Sequence, residues 1–344
     1  MKTDHTSSFF LLPSSLSRAF TLVELIVVIG IIGILSGIVI ASFAGGTESA
    51  RAAKCLTNMR NLAQGAIGNM VRRSSYPYAG SHVAYKYNDN NSTMVQYVER
   101  VGWISWLTMN GEYKNPQPSI ITRDNISACC GDDTKATFAI TNGTMWKCVD
   151  RNRDTYVCPE HVIRARDYGA TVRFSYVMSA YFYYDQIPGE ALYMDKDYGV
   201  TMNDGDFYAD RTLIFAELPF GVAGSDYDTA NSGMLGKKAY SSSDGNASLD
   251  CVLQYKASIN GNNYNTDWGG AAEAIAFNHK RGKRGWCAHV AFADGHAERF
   301  ALPSKSGALS AVELTALLCN GVSVTFDGSG YNMPNDADKT RNGN

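Results

Sequence analysis

The sequence predicts an α+β protein: a long N-terminal helix, with a membrane half and an amphipathic half, packed on an antiparallel β-rich globular head. Three observations predict it. Leu25 to Phe43 is a run of nineteen uncharged residues rich in Ile, Val and Leu. Beyond it, Leu56, Met59, Ala63, Ala66 and Met70 recur at spacings of three and four, the mark of a helix with one apolar stripe. From Ser74 onward, aromatic and β-branched runs alternate with Gly, Asn and Asp turns.

The apolar run is long enough to matter physically. At about 1.5 Å per residue its helix nearly spans a hydrocarbon core of about 30 Å. Met1 to Ala19 carry Lys2 and Arg18 against the single acid Asp4, and a long domain follows the run, which places the N-terminus in the cytoplasm. A secretory signal peptide has a shorter apolar region, of about 7–15 residues, although Ser42-x-Ala44 supplies a small-x-small cleavage site. A plain signal anchor also fits the hydropathy. Neither reading accounts for Glu24, a carboxylate at the head of an apolar helix, where charge is costly without a partner.

Gly45-Gly46 separates the apolar run from the amphipathic segment, whose polar positions include Arg51, Lys54, Arg60 and Gln64. The resemblance of Ala19-Phe20-Thr21-Leu22-Val23-Glu24 to a prepilin-type cleavage signal implies a leader over 1–19 and a transmembrane helix over 20–43; the further divisions expected are 44–73, an amphipathic helix continuing into the head; 74–331, the head; and 332–344, a polar tail. Within the head, strands are expected over Thr171–Met178, Thr212–Ala216, His289–Ala293 and Ala297–Phe300, and a short helix over Val312–Leu318. Asp294-Gly295 reads as a two-residue type I′ hairpin turn, which needs positive φ at both positions.

A net charge of −2 and the absence of a basic excess argue against nucleic acid as a partner. The eight cysteines form no Cys-x-x-Cys pair, so zinc-ribbon and thioredoxin spacings are missing. With an export signal upstream, an oxidising compartment is expected. Cys148 and Cys158 sit on two short arms around the polar stretch Asp150–Asp154 and are expected to form a disulfide, worth roughly 2–3 kcal/mol. Cys129 and Cys130 are left unassigned.

Three groups of residues are candidates for chemistry. His279, His296, Asp294 and Glu217 are donor types suited to metal, but their spacing matches no compact motif. Asp294 is already explained as a turn residue, so His279, Asp294 and His296 are expected to hold the terminal hairpin and its loop rather than catalyse. Asp195, Asp197, Asp204 and Asp206 offer oxygens of the kind calcium takes, outside EF-hand register; a solvated acidic loop is the other reading. Lys280-Arg281-Gly282-Lys283-Arg284 with Trp286 reads as an anion-contacting loop or a solvated hairpin rim. No nucleophile elbow, phosphate loop or dinucleotide fingerprint is present, and no enzyme activity is expected.

Ala19-Phe20-Thr21-Leu22-Val23-Glu24-Leu25 resembles the prepilin-type cleavage and methylation signal of type IV pilins and type II secretion pseudopilins. The resemblance implies cleavage by prepilin peptidase between Ala19 and Phe20, methylation of the new amine, and an assembly role for Glu24, fifth after the cut. Ala19 stands where the family usually has Gly. The implied partners are other pilin-like subunits, prepilin peptidase, the secretion or pilus assembly machinery and the membrane. The implied location is the bacterial inner membrane, single-pass, with the head extracytoplasmic.

The head resembles a group of pilin-like proteins abundant in planctomycete-type bacteria. The residues that carry this are Cys158-Pro159, the tyrosine strand Phe174-Ser175-Tyr176-Val177-Met178, Leu213-Ile214-Phe215-Ala216-Glu217, and Phe277-Asn278-His279 followed by Asp294-Gly295-His296. Fourteen residues, Lys280 to Ala293, separate His279 from Asp294, more than the group usually has. The function implied is a structural subunit of a pilin-like filament or pseudopilus that displays a large head. A membrane-anchored enzyme or binding module using the signal only for export is the alternative, and a minor tip or adhesive subunit is a third. No resident cofactor is implied, with calcium the one candidate.

Overall fold

The computed structural model describes residues 21–80, 82–87, 94–104, 133–167, 174–182, 208–217, 252–253, 255–265, 274–280, 285–302, 309–328 and 331–332. The chain divides into two compact units, Met1–Thr47 and Glu48–Asn344.

In the first unit, helix α1 (Leu22–Arg73) begins with a capping box that sequence reasoning missed. The Thr21 N–H and hydroxyl both donate to Glu24 Oε2, at 2.8 and 3.0 Å, and the Glu24 N–H donates back to Thr21 Oγ1 at 3.2 Å. Reciprocal bonds of this kind satisfy N–H groups that a helix start leaves orphaned. From Leu22 to Ile38 the large apolar side chains are exposed, Leu22 at 73% and Ile34 at 68%. Among the described residues no helix is long and apolar enough to cross a membrane; side chains 39–45, which include the end of the expected span, lie outside them.

In the second unit, the residues of α1 from Ala52 to Asn69 take the opposite environment. Cys55, Met59, Leu62, Ala63 and Ala66 are fully buried in the main core, at helical spacings of four, three, one and three. The stripe is centred one residue earlier than expected: Leu56 and Met70 sit at its edge rather than on its axis. Polar groups on the same face are tied down. Asn58 Nδ2 donates to the carbonyls of Asp154 and Val157, both at 3.0 Å. Arg51 Nε meets Glu160 Oε2 at 2.7 Å.

Strands β1 (His82–Tyr87) and β2 (Met94–Arg100) form an antiparallel pair. Helices α2 (Asp133–Asn142) and α3 (Pro159–Asp167) follow. Pro159 opens α3 at the position where a missing N–H costs nothing. The principal sheet uses β3 (Tyr176–Ser179), β4 (Leu213–Glu217), β5 (Val252–Leu253), β8 (His279–Lys280), β9 (Trp286–Phe292) and β10 (Ala297–Ala301). Its order is β10-β9-β4-β3-β5, with β8 also pairing β9. All pairs are antiparallel except β3 with β5. β6 (Lys256–Ile259) and β7 (Asn262–Asn265) form a separate hairpin, α4 spans Ala311–Cys319, and β11 (Thr325–Phe326) pairs β12 (Tyr331–Asn332). The expected strands and the expected short helix lie on β3, β4, β9, β10 and α4, with 171–173 outside the described residues.

Two turns correct the sequence reading. The Asp294-Gly295 turn is not type I′: Gly295 has φ +94, but Asp294 is not left-handed. The Gly295 N–H instead closes on the Phe292 carbonyl at 3.0 Å, and the Phe292 N–H bonds the His296 carbonyl at 2.9 Å. The loop is therefore longer than two residues, and only its glycine needs positive φ. A two-residue hairpin turn with positive φ at both positions is Asn260-Gly261, φ +52 and +84, joining β6 to β7. Asn-Gly is the strongest short hairpin signal in a sequence, because a type I′ turn needs positive φ at both positions.

A buried thiol, imidazole and carboxylate centre

The site forms where α1 meets the end of the sheet nearest Glu217. Glu217 closes β4, and its register partner across the antiparallel pair is Tyr176 on β3, so the two side chains share a face. His289 lies on neighbouring β9, and His279 starts β8, opposite Cys287 of β9. Cys55 comes down from α1, and Cys158 from the residue just before α3. All six side chains are fully buried.

Glu217 Oε1 is the hub. Cys55 Sγ lies 2.6 Å from it, His279 Nε2 2.7 Å and His289 Nδ1 2.9 Å. His279 Nε2 also lies 3.5 Å from Cys158 Sγ, and the Tyr176 hydroxyl donates to Cys55 Sγ at 3.3 Å. The two imidazole rings lean on each other with centroids 4.1 Å apart. Glu217 Oε2, His279 Nδ1 and His289 Nε2 have no hydrogen-bond partner among the described residues.

The electrostatics follow from this packing. Burial opposes ionisation of Glu217, but the two imidazoles outweigh it and hold its pKa well below the usual carboxylate range. For His279, burial disfavours the charged form, yet Glu217 and Cys158 push it up to about 10. His289 is lowered, chiefly by burial. Burial raises the Cys55 thiol well above its ordinary value, with Cys158 and Glu217 adding to the shift. Cys158 is brought down to about 7: burial opposes this, and hydrogen bonds with Cys55 and His279 overcome it. Chemically, the centre joins a soft thiol, two borderline imidazoles and a hard carboxylate: Cys55, Glu217, His279 and His289 place their ligand atoms within 4.8 Å of one another.

The structure therefore separates residues that the sequence grouped. Glu217 and His279 converge. Asp294 and His296 do not join them: Asp294 Oδ1 accepts from the His296 N–H at 3.0 Å and also meets the His296 ring, while that ring stacks on Phe292 at 4.4 Å. The turn carrying Gly295 is fixed by Asp294 N–H to the Ala209 carbonyl, 2.9 Å, and by Tyr76 to the Ala293 carbonyl, 3.0 Å.

The expected Cys148–Cys158 disulfide is corrected: both are free thiols. The 3₁₀ turn Arg153–Tyr156 and the start of α3 carry Cys158 into the core, while Cys148 stays at the edge, 3.6 Å from Arg72 Nη2. Two members of the centre were missed. Cys55 was overlooked because the apolar stripe was started one residue late, and His289 because it was read only as the start of a strand. Period-2 alternation with Cys287 and Ala291 on β9 was the available signal for His289. Ala19, Phe20, Asp195, Asp197, Asp204, Asp206 and the loop 281–284 lie outside the described residues.

The prokaryotic N-terminal methylation motif matches residues 14–40. Compared with curated proteins and with solved structures, the chain matches none. The match covers the start of the chain, where α1 begins with its capped Thr21–Glu24 turn, and makes that segment a pilin-like signal, which implies processing by prepilin peptidase.

Proposed function

We propose that this protein is a structural subunit of a pilin-like filament or a type II secretion-type pseudopilus. It is held in the inner membrane by a single pass with the head outside the cytoplasm. The observation that carries the reading is the methylation motif on a helix whose large apolar side chains from Leu22 to Ile38 are exposed. An apolar surface of that length needs lipid or neighbouring helices around it. The work of the protein is mechanical rather than catalytic: insert, be cut between Ala19 and Phe20, polymerise through α1, and display the head. The second half of α1 contributes its buried stripe to the core of the head. We read Cys158-Pro159, Glu217, His279 and Asp294-Gly295-His296 as the head motifs of the planctomycete-type group.

Glu24 is the assembly residue in this reading. After the cut, Phe20 carries a terminal amine, and Glu24 lies about one helical turn below it. Opposite charges in separate lipid-embedded helices each carry a desolvation cost, which pairing between subunits relieves. The capping box gives Glu24 a second, local role. The two roles separate by substitution, because Gln at the third helical position still caps but carries no charge. Glu24→Gln and Glu24→Leu are each expected to insert, to be cut, and to be lost from crosslinked oligomers with wild-type subunits. If Glu24→Gln assembles as wild type does, the charge does not set the register and the assembly mechanism fails.

A further inference from the structure

The hydrogen-bond pattern of the buried centre is over-subscribed. A single oxygen, Glu217 Oε1, receives Cys55, His279 and His289, while Oε2 of the same buried carboxylate has no partner among the described residues. His279 Nε2 lies within hydrogen-bond reach of both Glu217 Oε1 and Cys158 Sγ. Buried polar networks are normally satisfied on all their atoms, so this convergence calls for an explanation. Four lone-pair donors from four separate elements, α1, β4, β8 and β9, aimed at one point are what a cation requires.

We propose that Cys55, Glu217, His279 and His289 bind a zinc ion, and that this closed four-ligand centre ties α1 to the sheet. The donor set selects the metal. A thiolate with two imidazoles disfavours calcium and magnesium, and the carboxylate is a poor donor for Cu(I). With four protein ligands and full burial, no coordination position is left open for substrate, the arrangement of a structural rather than a catalytic zinc. Charge closes as well: one thiolate and one carboxylate neutralise a divalent ion, with both imidazoles neutral. Binding releases the thiol proton and any proton on the imidazoles.

The ligand atoms, all within 4.8 Å of one another, need shifts of about 1 Å to reach zinc geometry. Tetrahedral zinc with bonds of about 2.0–2.3 Å separates its ligand atoms by roughly 3.3–3.8 Å. The present contacts of 2.6–2.9 Å must widen by about 1 Å or less. Tyr176 supplies an outer hydrogen bond to Cys55 Sγ, the kind of partner that orients a ligand. Cys158 lies outside the four-ligand set.

The proposal does not depend on the filament reading. The test uses the full chain extracted in detergent and dialysed against metal-free buffer. Elemental analysis is expected to find one zinc per chain, and X-ray absorption of that wild-type protein one sulfur and three nitrogen or oxygen neighbours. Substituted cobalt is expected to show a thiolate charge-transfer band. Cys55→Ser and His289→Gln are each expected to lower zinc affinity at least about tenfold. Cys158→Ser and Cys287→Ser are expected to keep the zinc. Because the wild-type spectra need no variant to fold, they stand alone as a test. Wild-type protein with no zinc, another metal at these ligands, or a Cys55–Cys158 disulfide in the mass spectrum would overturn the proposal. So would loss of zinc in Cys158→Ser.

Discussion

The two halves of α1 belong to one continuous helix and meet opposite surroundings. From Leu22 to Ile38 the large apolar side chains are exposed, whereas Cys55, Met59, Leu62, Ala63 and Ala66 are fully buried. Hydropathy alone would call the first half the better core. The difference lies in patterning. The first half is apolar all round, so no single face of a sheet could cover it. The second half confines its apolar groups to one stripe and intersperses Asn58 and Arg51, which find Asp154, Val157 and Glu160. The comparison predicts that substitutions in the second half are read by the stability of the folded head, and those in the first half by membrane retention and assembly.

The largest effect on the head belongs to Glu217. Glu217→Ala leaves two buried imidazoles and a thiol without their common acceptor, and the expected loss is about 3–5 kcal/mol in urea unfolding. A loss under about 1 kcal/mol would mean that the centre is not an organising feature of the fold. Met59→Ala, at a fully buried position, is expected to cost about 2–5 kcal/mol. Its counterpart Ile32→Ala, exposed on the first half, is expected to shift the same transition by no more than about 0.5 kcal/mol while weakening oligomer crosslinking. Equal shifts at the two sites would break the comparison. Gly295→Ala comes next, at about 1–3 kcal/mol by thermal melting. The residue sits at φ +94, and a Cβ there would come within 2.9 Å of Ile67 Cδ1 on α1. The smallest is Ser310→Ala, about 1 kcal/mol, from loss of the capping box with Glu313 on α4.

Local signals in the sequence carried the elements well. The apolar run and the stripe marked α1, and β-branched runs bounded by turn residues marked β4, β9 and β10. The turns were less legible, because Asp-Gly suits several loop lengths and only the hydrogen bonds decide which forms. Asn260-Gly261, in contrast, was legible and was passed over. The centre was half visible. Glu217 and His279 stood out as polar residues in apolar strands, but nothing local says that β8 and β9 pair so as to bring His279 and His289 onto one carboxylate. Cys55 lies 162 residues from Glu217 in the chain, and only the tertiary fold joins them. The Cys148–Cys158 expectation failed for the same reason: proximity in sequence was taken for proximity in space, and the turn at Arg153–Tyr156 sends the second thiol into the core.

The central claim is that the exposed apolar half of α1 belongs to a processed, assembling pilin-like subunit. Intact mass and N-terminal sequencing of the membrane-extracted protein test it most directly. The account predicts a mature chain that begins at Phe20 and carries a methylated terminal amine. A chain that begins at Ala44 or beyond would mark an ordinary secretory signal, and a chain that retains Met1 to Ala19 would mark a plain anchor; either would contradict it.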